Sequence, residues 1–164
     1  MGQVIIRLSK DEVANCLAQA EQRFLMKWGS VDRLNYADGK AKGLLEHDLL
    51  NSLRSMVGEW AVAKYFNLTW NCSCYPNALH SARKLMPDVG VDGEVRTIRT
   101  QTGIPFWSKD EGKTIYGARV LDEVYFSEVE LFEPFYADDF MLDEFYDPAI
   151  EGWRVPISKL SPTT

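Results

Sequence analysis

The chain has only two histidines and three cysteines in 164 residues. It also lacks any apolar run approaching the ~20 residues that cross a bilayer. So little imidazole leaves scant material for a Cys-His or Ser-His nucleophile. No G-x-S-x-G, phosphate-binding glycine loop or G-x-G-x-x-G occurs. Three cysteines cannot all pair within one chain. The opening MGQVIIRLSKDE has a three-residue apolar run and then charges, so it does not read as a secretion signal. Ile6 stands where a myristoylation signal needs Ser or Thr. The expectation is a cytoplasmic protein with reduced thiols and no membrane partner.

Basic residues are missing from one long stretch. Residues 1–120 carry 16 Lys/Arg against 13 Asp/Glu, whereas residues 121–164 carry 2 against 11, with no cation between Arg119 and Arg154. The net charge of −6 therefore excludes a uniformly basic nucleic-acid binder, but leaves room for a basic face on the first two-thirds.

What is present reads as one globular domain over 1–164, with 46% hydrophobic residues and 12% aromatic. Residues 1–66 are mainly helical by pattern. A short β-type run (QVIIRL, 3–8) leads to Ser9, with Glu12 at capping-box spacing. Val13, Cys16, Leu17, Ala20, Phe24 and Trp28 then follow at helical spacing, and Gly29-Ser30 ends the helix. Residues 30–43 are polar, with Asp38-Gly39 as a turn signal. A second helix is expected over 44–66, its apolar face made by Leu45, Leu49, Leu53, Met56, Val57, Trp60, Ala61 and Tyr65, and its stop by a left-handed Asn67. Gly58 inside it implies close approach of another group. Glu59 beside it lies in an unusually apolar stretch. Its plainer reading is a surface carboxylate paired with Lys64 or Arg54.

Residues 68–132 read as sheet. Asp88 to Thr100 suggests a β-hairpin in one of two registers. A two-residue turn at Asp92-Gly93 pairs Val91 with Glu94 and turns Asp88 away. A three-residue loop Val91-Asp92-Gly93 pairs Gly90 with Glu94 and Asp88 with Arg96, which gathers Asp88, Glu94 and Arg96 on one face. The segment GIPFWSKDEGKT reads as a loop with an exposed Trp107. TIYGARV (114–120) and EVYFSEVELF (123–132) read as strands. Residues 133–164 comprise an acidic aromatic segment and a closing strand, GWRVPISKL (152–160), with Pro156 at an edge or bulge.

Two or three carboxylates with a cation, at the end of a small sheet, can hold a magnesium ion against a phosphate. Cys72, Cys74 and His80 (C-x-C-x5-H, with His47 elsewhere) make a poor zinc set, since structural zinc wants four ligands at wider cysteine spacing. The eleven carboxylates between Asp122 and Glu151 alternate with Phe126, Phe132, Phe135, Tyr136, Phe140, Phe145 and Tyr146. The segment reads either as a band imitating the charge of DNA or as core aromatics with solvated acids.

The sequence Pro87-Asp88, five residues, then Glu94-Val95-Arg96, preceded by GEWAVAKYFNLTW, resembles the PD-(D/E)XK nuclease superfamily. The likeness is to its small phage and prophage members, which carry a Gly-Glu-x-Ala-Val-Ala-Lys helix before Asp-Val-Gly and Glu-Val-Arg-Thr. It covers about residues 50–100. The resemblance implies an α/β (α+β) fold, with a central mixed sheet of four to five strands flanked by helices in a restriction-endonuclease-like core. It also implies Mg2+- or Mn2+-dependent cleavage of a nucleic acid, DNA before RNA, in the host cytoplasm if phage-encoded. It assigns Glu59 to orienting a metal-bound water, Asp88 and Glu94 to the metal, and the Val95 carbonyl as a third ligand. Arg96 falls where the superfamily has lysine; it suits electrostatics and not general-base work. Arg99, Lys109, Lys113 and Arg83-Lys84 are the candidates for meeting the polyanion. The alternative is a catalytically inactive fold that binds or inhibits a host DNA-handling protein, as a DNA mimic through residues 122–151.

Overall fold

The computed structural model describes residues 4–27, 45–72 and 86–160. Helix α1 (Lys10–Lys27) begins at a reciprocal cap: Ser9 N–H donates to Glu12 Oε1 at 3.0 Å, and Glu12 N–H to Ser9 Oγ at 3.1 Å. Cys16 and Ala20 are fully buried and Val13 and Phe24 partly so, whereas Leu17 is 44% exposed. In its place Arg23, seven residues beyond Cys16, lies on the buried stripe. Trp28, Gly29-Ser30 and the polar stretch 30–43 lie outside the described residues.

Helix α2 (Leu45–Phe66) is the central support. Asn67 takes the left-handed conformation (φ 54°) and Leu68 N–H donates back to the Ala63 carbonyl at 2.9 Å, which ends the helix as expected. Leu53, Met56, Val57, Ala61, Val62 and Ala63 are buried. At Gly58 a β-carbon would overlap the Thr97 side chain on the neighbouring strand, so glycine permits the helix to approach the sheet. Helix α1 packs chiefly on α2, and α2 on the sheet.

The α/β class is the one expected, and the main sheet has five strands among the described residues. Strands β1 (Val4–Arg7), β5 (Glu128–Leu131), β4 (Thr114–Val120) and β2 (Gly93–Ile98) lie in that order. β2 runs parallel to β4; the other pairs are antiparallel. Strand β6 (Phe135–Tyr136) resumes on the β5 side of β4 after a one-residue change of register, with Ala118 opposite Leu131 but Ile115 opposite Phe135.

A second sheet was not expected. Strands β3 (Gly103–Phe106), β8 (Gly152–Pro156) and β7 (Tyr146–Asp147) form it in that order, all antiparallel. The presumed loop 103–113 thus contains a strand and a 3₁₀ turn, Ser108–Asp110. The closing strand stops at Pro156, whose residue opposite is Gly103 at the strand's end. The strand expected over 123–132 is shortened to Glu128–Leu131. Asp122 Oδ1 instead takes the N–H groups of Val124 and Tyr125 and its Oδ2 the Ser127 hydroxyl, which curls residues 122–127 into a turn.

Two cores result, one on each face of the main sheet. Met56, Val57, Ala61, Val89, Val95, Ala118, Val129 and Leu131 fill the α2 side. Ile98, Ile104, Phe106, Ile115, Phe132, Phe135 and Val155 fill the side covered by the second sheet. In the acidic aromatic segment Phe126, Phe132 and Phe135 are buried, while Asp138, Asp139, Asp143 and Glu144 are exposed. These aromatics are core.

Candidate active site

Period-two alternation along β2 decides what each residue meets. Val95 and Thr97 face α2, whereas Glu94, Arg96 and Ile98 face the second sheet. Asp88 reaches the end of this strand from a neighbouring turn, and the hairpin is reduced to a single bridge. Val89 pairs with Gly93 through two bonds of 3.1 Å, with Gly90 left-handed (φ 60°) in a turn over 90–92. Neither expected register forms. The observed one keeps the parity of the three-residue alternative, but slides Asp88 two residues along β2, opposite Glu94 rather than Arg96. Pairing stops there because Asp88 Oδ2 accepts the Val95 N–H itself, at 2.9 Å.

The Asp88 turn is fixed from behind. Asn71 Nδ2 donates to the carbonyls of Pro87 and Gly90, both at 3.0 Å, and Asn71 N–H to the Asp88 carbonyl at 3.0 Å. Burial, and after it the charges of Glu59 and Glu94, push the Asp88 carboxyl up to about 7. The Val95 N–H and Arg96 oppose this and lose.

Glu59 is buried and pairs with neither Lys64 nor Arg54. Its Oε1 takes Arg23 Nη1 at 3.3 Å and its Oε2 takes Trp70 Nε1 at 3.0 Å. Lys64 instead bonds Glu12, and Arg54 bonds Glu123. Glu59 approaches Asp88 from the helix side and Glu94 from the other. Among the described residues no group of three or more His, Cys, Asp or Glu side chains could hold a metal ion. Of the two or three carboxylates expected near one ion, a set of three is therefore not gathered among the described residues.

As a donor pair, the carboxylates of Asp88 and Glu94 are of the chemistry that a hard divalent cation of the magnesium kind takes, one that completes its shell with water and phosphate oxygen. The excess of negative charge that raises Asp88 is what such an ion would relieve. The Val95 carbonyl, the third ligand implied, has Arg96 Nη1 at 3.4 Å.

Arg96 does not stand open beside this pair. Its Nη2 lies 2.7 and 2.8 Å from the two oxygens of Asp110, which is fully buried, and its Nη1 lies 3.4 Å from Glu94 Oε2. The guanidinium carbon sits 5.4 Å from the Trp107 ring centre. Burial alone would lower its pKa, but Asp110, Glu94 and Asp88 hold it above the ordinary arginine value, so it is always charged. Lys113, named above only as a phosphate contact, places Nζ 2.5 Å from Glu94 Oε1.

Of the remaining candidates, Arg99 is exposed and paired with Glu123. Lys109 lies 5.8 Å from the Trp107 ring centre. Trp107 is half-buried, with Nε1 donating to the Ile150 carbonyl at 3.0 Å. Arg83-Lys84 lie outside the described residues. So do Cys74 and His80 of the zinc reading, while Cys72 is half-buried. Cys16 is buried, and its thiol is pushed up to about 12 by burial first and then by Glu12 and Glu59.

Asp110, Arg23 and Trp70 escaped the sequence reading. Arg23 could have been found at helical spacing from Cys16 and Ala20; Asp110, in SKDEG, looks like any solvated loop acid. No family model matches the chain, and neither a curated protein nor a solved structure shows significant similarity to it.

Proposed function

We propose that the protein is a cytoplasmic, Mg2+- or Mn2+-dependent phosphodiesterase acting on nucleic acid, DNA before RNA, with Asp88 and Glu94 holding the ion. The observation that carries this reading is Asp88: a carboxyl kept at the strand end by a backbone N–H, whose affinity for a proton is raised by burial first and then by two further carboxylates. Such a position favours a cation of charge two over a proton. When bound, the ion supplies Lewis-acid charge to the phosphate and makes a water more acidic.

The chain's own residues do the rest. Val95 N–H orients Asp88. Arg23 and Trp70 fix the Glu59 carboxylate in place, where it can accept a further hydrogen bond from water. In the reaction the water oxygen bonds to phosphorus as one P–O ester bond breaks. The water proton passes to solvent, and solvent protonates the departing oxygen.

A second reading is favoured by a different observation. Glu59, Glu94 and Arg96 already have partners within the protein, and no salt bridge engages the exposed Asp139, Asp143 and Glu144 among the described residues. That arrangement suits an inactive fold binding a DNA-handling protein. Incubation of plasmid, single-stranded DNA and RNA with 5 to 10 mM Mg2+ or Mn2+, roughly a cellular-to-saturating range, separates the two. The expected result is cutting that falls about a thousandfold or more in Asp88→Ala and Glu94→Ala, with unchanged circular dichroism. No cutting and no metal binding would leave the inactive reading.

A further inference from the structure

The cation that an attacked phosphate would meet is set by how each positive group near Glu94 is already committed. Arg96 is committed at both terminal nitrogens, while its buried Nε has no hydrogen-bond partner among the described residues. One terminal nitrogen is shared between both oxygens of buried Asp110, the other lies against Glu94 and the Val95 carbonyl, and its carbon stacks near Trp107. Asp110 Oδ2 also accepts the Trp107 N–H at 2.9 Å, so Arg96 ties β2 to the turn that follows β3. Releasing it would leave a carboxylate with no exposed surface uncompensated.

Lys113 is differently placed. Its backbone is pinned twice: its N–H donates to the Asp110 carbonyl at 3.0 Å, and its carbonyl accepts the Ala137 N–H at 3.0 Å. The residue therefore stands at the start of β4, where Thr114 lies opposite Gly93 and Ile115 opposite Glu94. Its side chain is about one-fifth exposed, more than that of Arg96, and its ion-pair partner among the described residues is Glu94. An ammonium has three donors, so two remain to turn toward an incoming oxygen.

Resting on the phosphodiesterase reading, we infer that Lys113 is the catalytic cation, moving from Glu94 to the phosphate as the ion takes its place, and that Arg96 is a positioning residue. The Lys113 ammonium neutralises charge gathering on the phosphate oxygens, and the water proton passes to solvent. The division follows from chemistry: a flexible point charge on a carboxylate that keeps some exposure (13%) exchanges partners more readily than a planar guanidinium held by a fully buried one.

The test uses the full chain, Mn2+ and the same plasmid and single-strand substrates. Lys113→Gln should cut about a hundredfold more slowly with an unchanged melting temperature. It should bind Mn2+ about two- to fivefold more tightly, because no ammonium competes for Glu94. Lys113→Arg should recover part of the rate. Arg96→Gln/Asp110→Asn, which removes both buried charges together, should slow cutting clearly less than Lys113→Gln does; if that variant melts early, Lys113→Gln decides alone. Wild-type cutting by Lys113→Gln overturns the assignment and leaves the phosphodiesterase reading standing. Slower cutting with weaker Mn2+ binding also overturns it, since Lys113 would then merely support Glu94. A wild type that neither cuts nor binds Mn2+ takes down both.

Discussion

The two faces of β2 are built on opposite principles. Against α2 the strand presents Val95 and Thr97, and contact is made by subtraction: a glycine on the helix lets Thr97 come close, and the Thr97 hydroxyl has no hydrogen-bond partner. Against the second sheet it presents Glu94 and Arg96, and contact is made by charge, with Arg96 clasping a fully buried Asp110. One face depends on close apolar packing, which tolerates no added volume. The other depends on matched ions, which tolerate no unmatched removal. Asp88 sits at the strand end between them, so the candidate site draws its rigidity from packing and its field from the ion pairs.

The sharpest way to break that comparison is to remove one ion. Arg96→Ala strands the Asp110 carboxylate, and a loss of about 3–5 kcal/mol is expected in urea unfolding. Removing both charges should recover most of it. If Arg96→Ala is as stable as the wild type, the charged face is not held as described.

A smaller effect is expected on the apolar face. Gly58→Ala adds one methyl where Thr97 already stands, and about 1–3 kcal/mol should be lost through overpacking. Thr97→Ala in the same chain, which removes the hydroxyl that the new methyl meets first, should restore part of the loss. A neutral Gly58→Ala would show that helix and strand can separate without cost.

Counted per pH unit, the smallest effect lies at the junction. Asp88 binds its proton more tightly folded than unfolded, since burial and the two neighbouring carboxylates raise it from 3.8 to about 7. Its contribution is therefore fully present below about pH 4 and is lost as the pH rises toward 7, with a slope of at most ~1.4 kcal/mol per pH unit. Subtracting the Asp88→Asn profile isolates it. Saturating Mg2+ should flatten the slope, because the ion replaces the proton; a slope of the opposite sign would contradict the environment described for Asp88.

Local signals carried far in the first half and failed in the second. Ser9 with Glu12, the apolar spacing of α2, Gly58 and Asn67 each express a rule confined to one helix turn or one contact, and each holds. Residues 103–113 look like a loop because their strand is four residues long and followed by a charged turn. Its partner β8 lies some fifty residues away, so no local pattern announces the pairing. Asp88, Glu94 and Arg96 were legible as chemistry, and their common side of the strand pair was one of the two open possibilities. The register itself was not, because it depends on a hydrogen bond between the Asp88 side chain and the backbone, which stops the pairing early. Nor was the capture of Arg96, since an acid in SKDEG gives no sign that it will be buried.

Asn71 has a consequence for how the chain could change over time. Its amide joins Pro87 and Gly90, and its own N–H joins Asp88, so the path leaving residue 72 and the path returning at 86 are stapled together at their base. Whatever lies between enters and leaves through that fixed gate. Doubling the length of the connection would cost only about 0.6 kcal/mol of closure entropy. This is a place where related chains could lengthen, shorten or rewrite the connection while the carboxylate at its foot keeps its position.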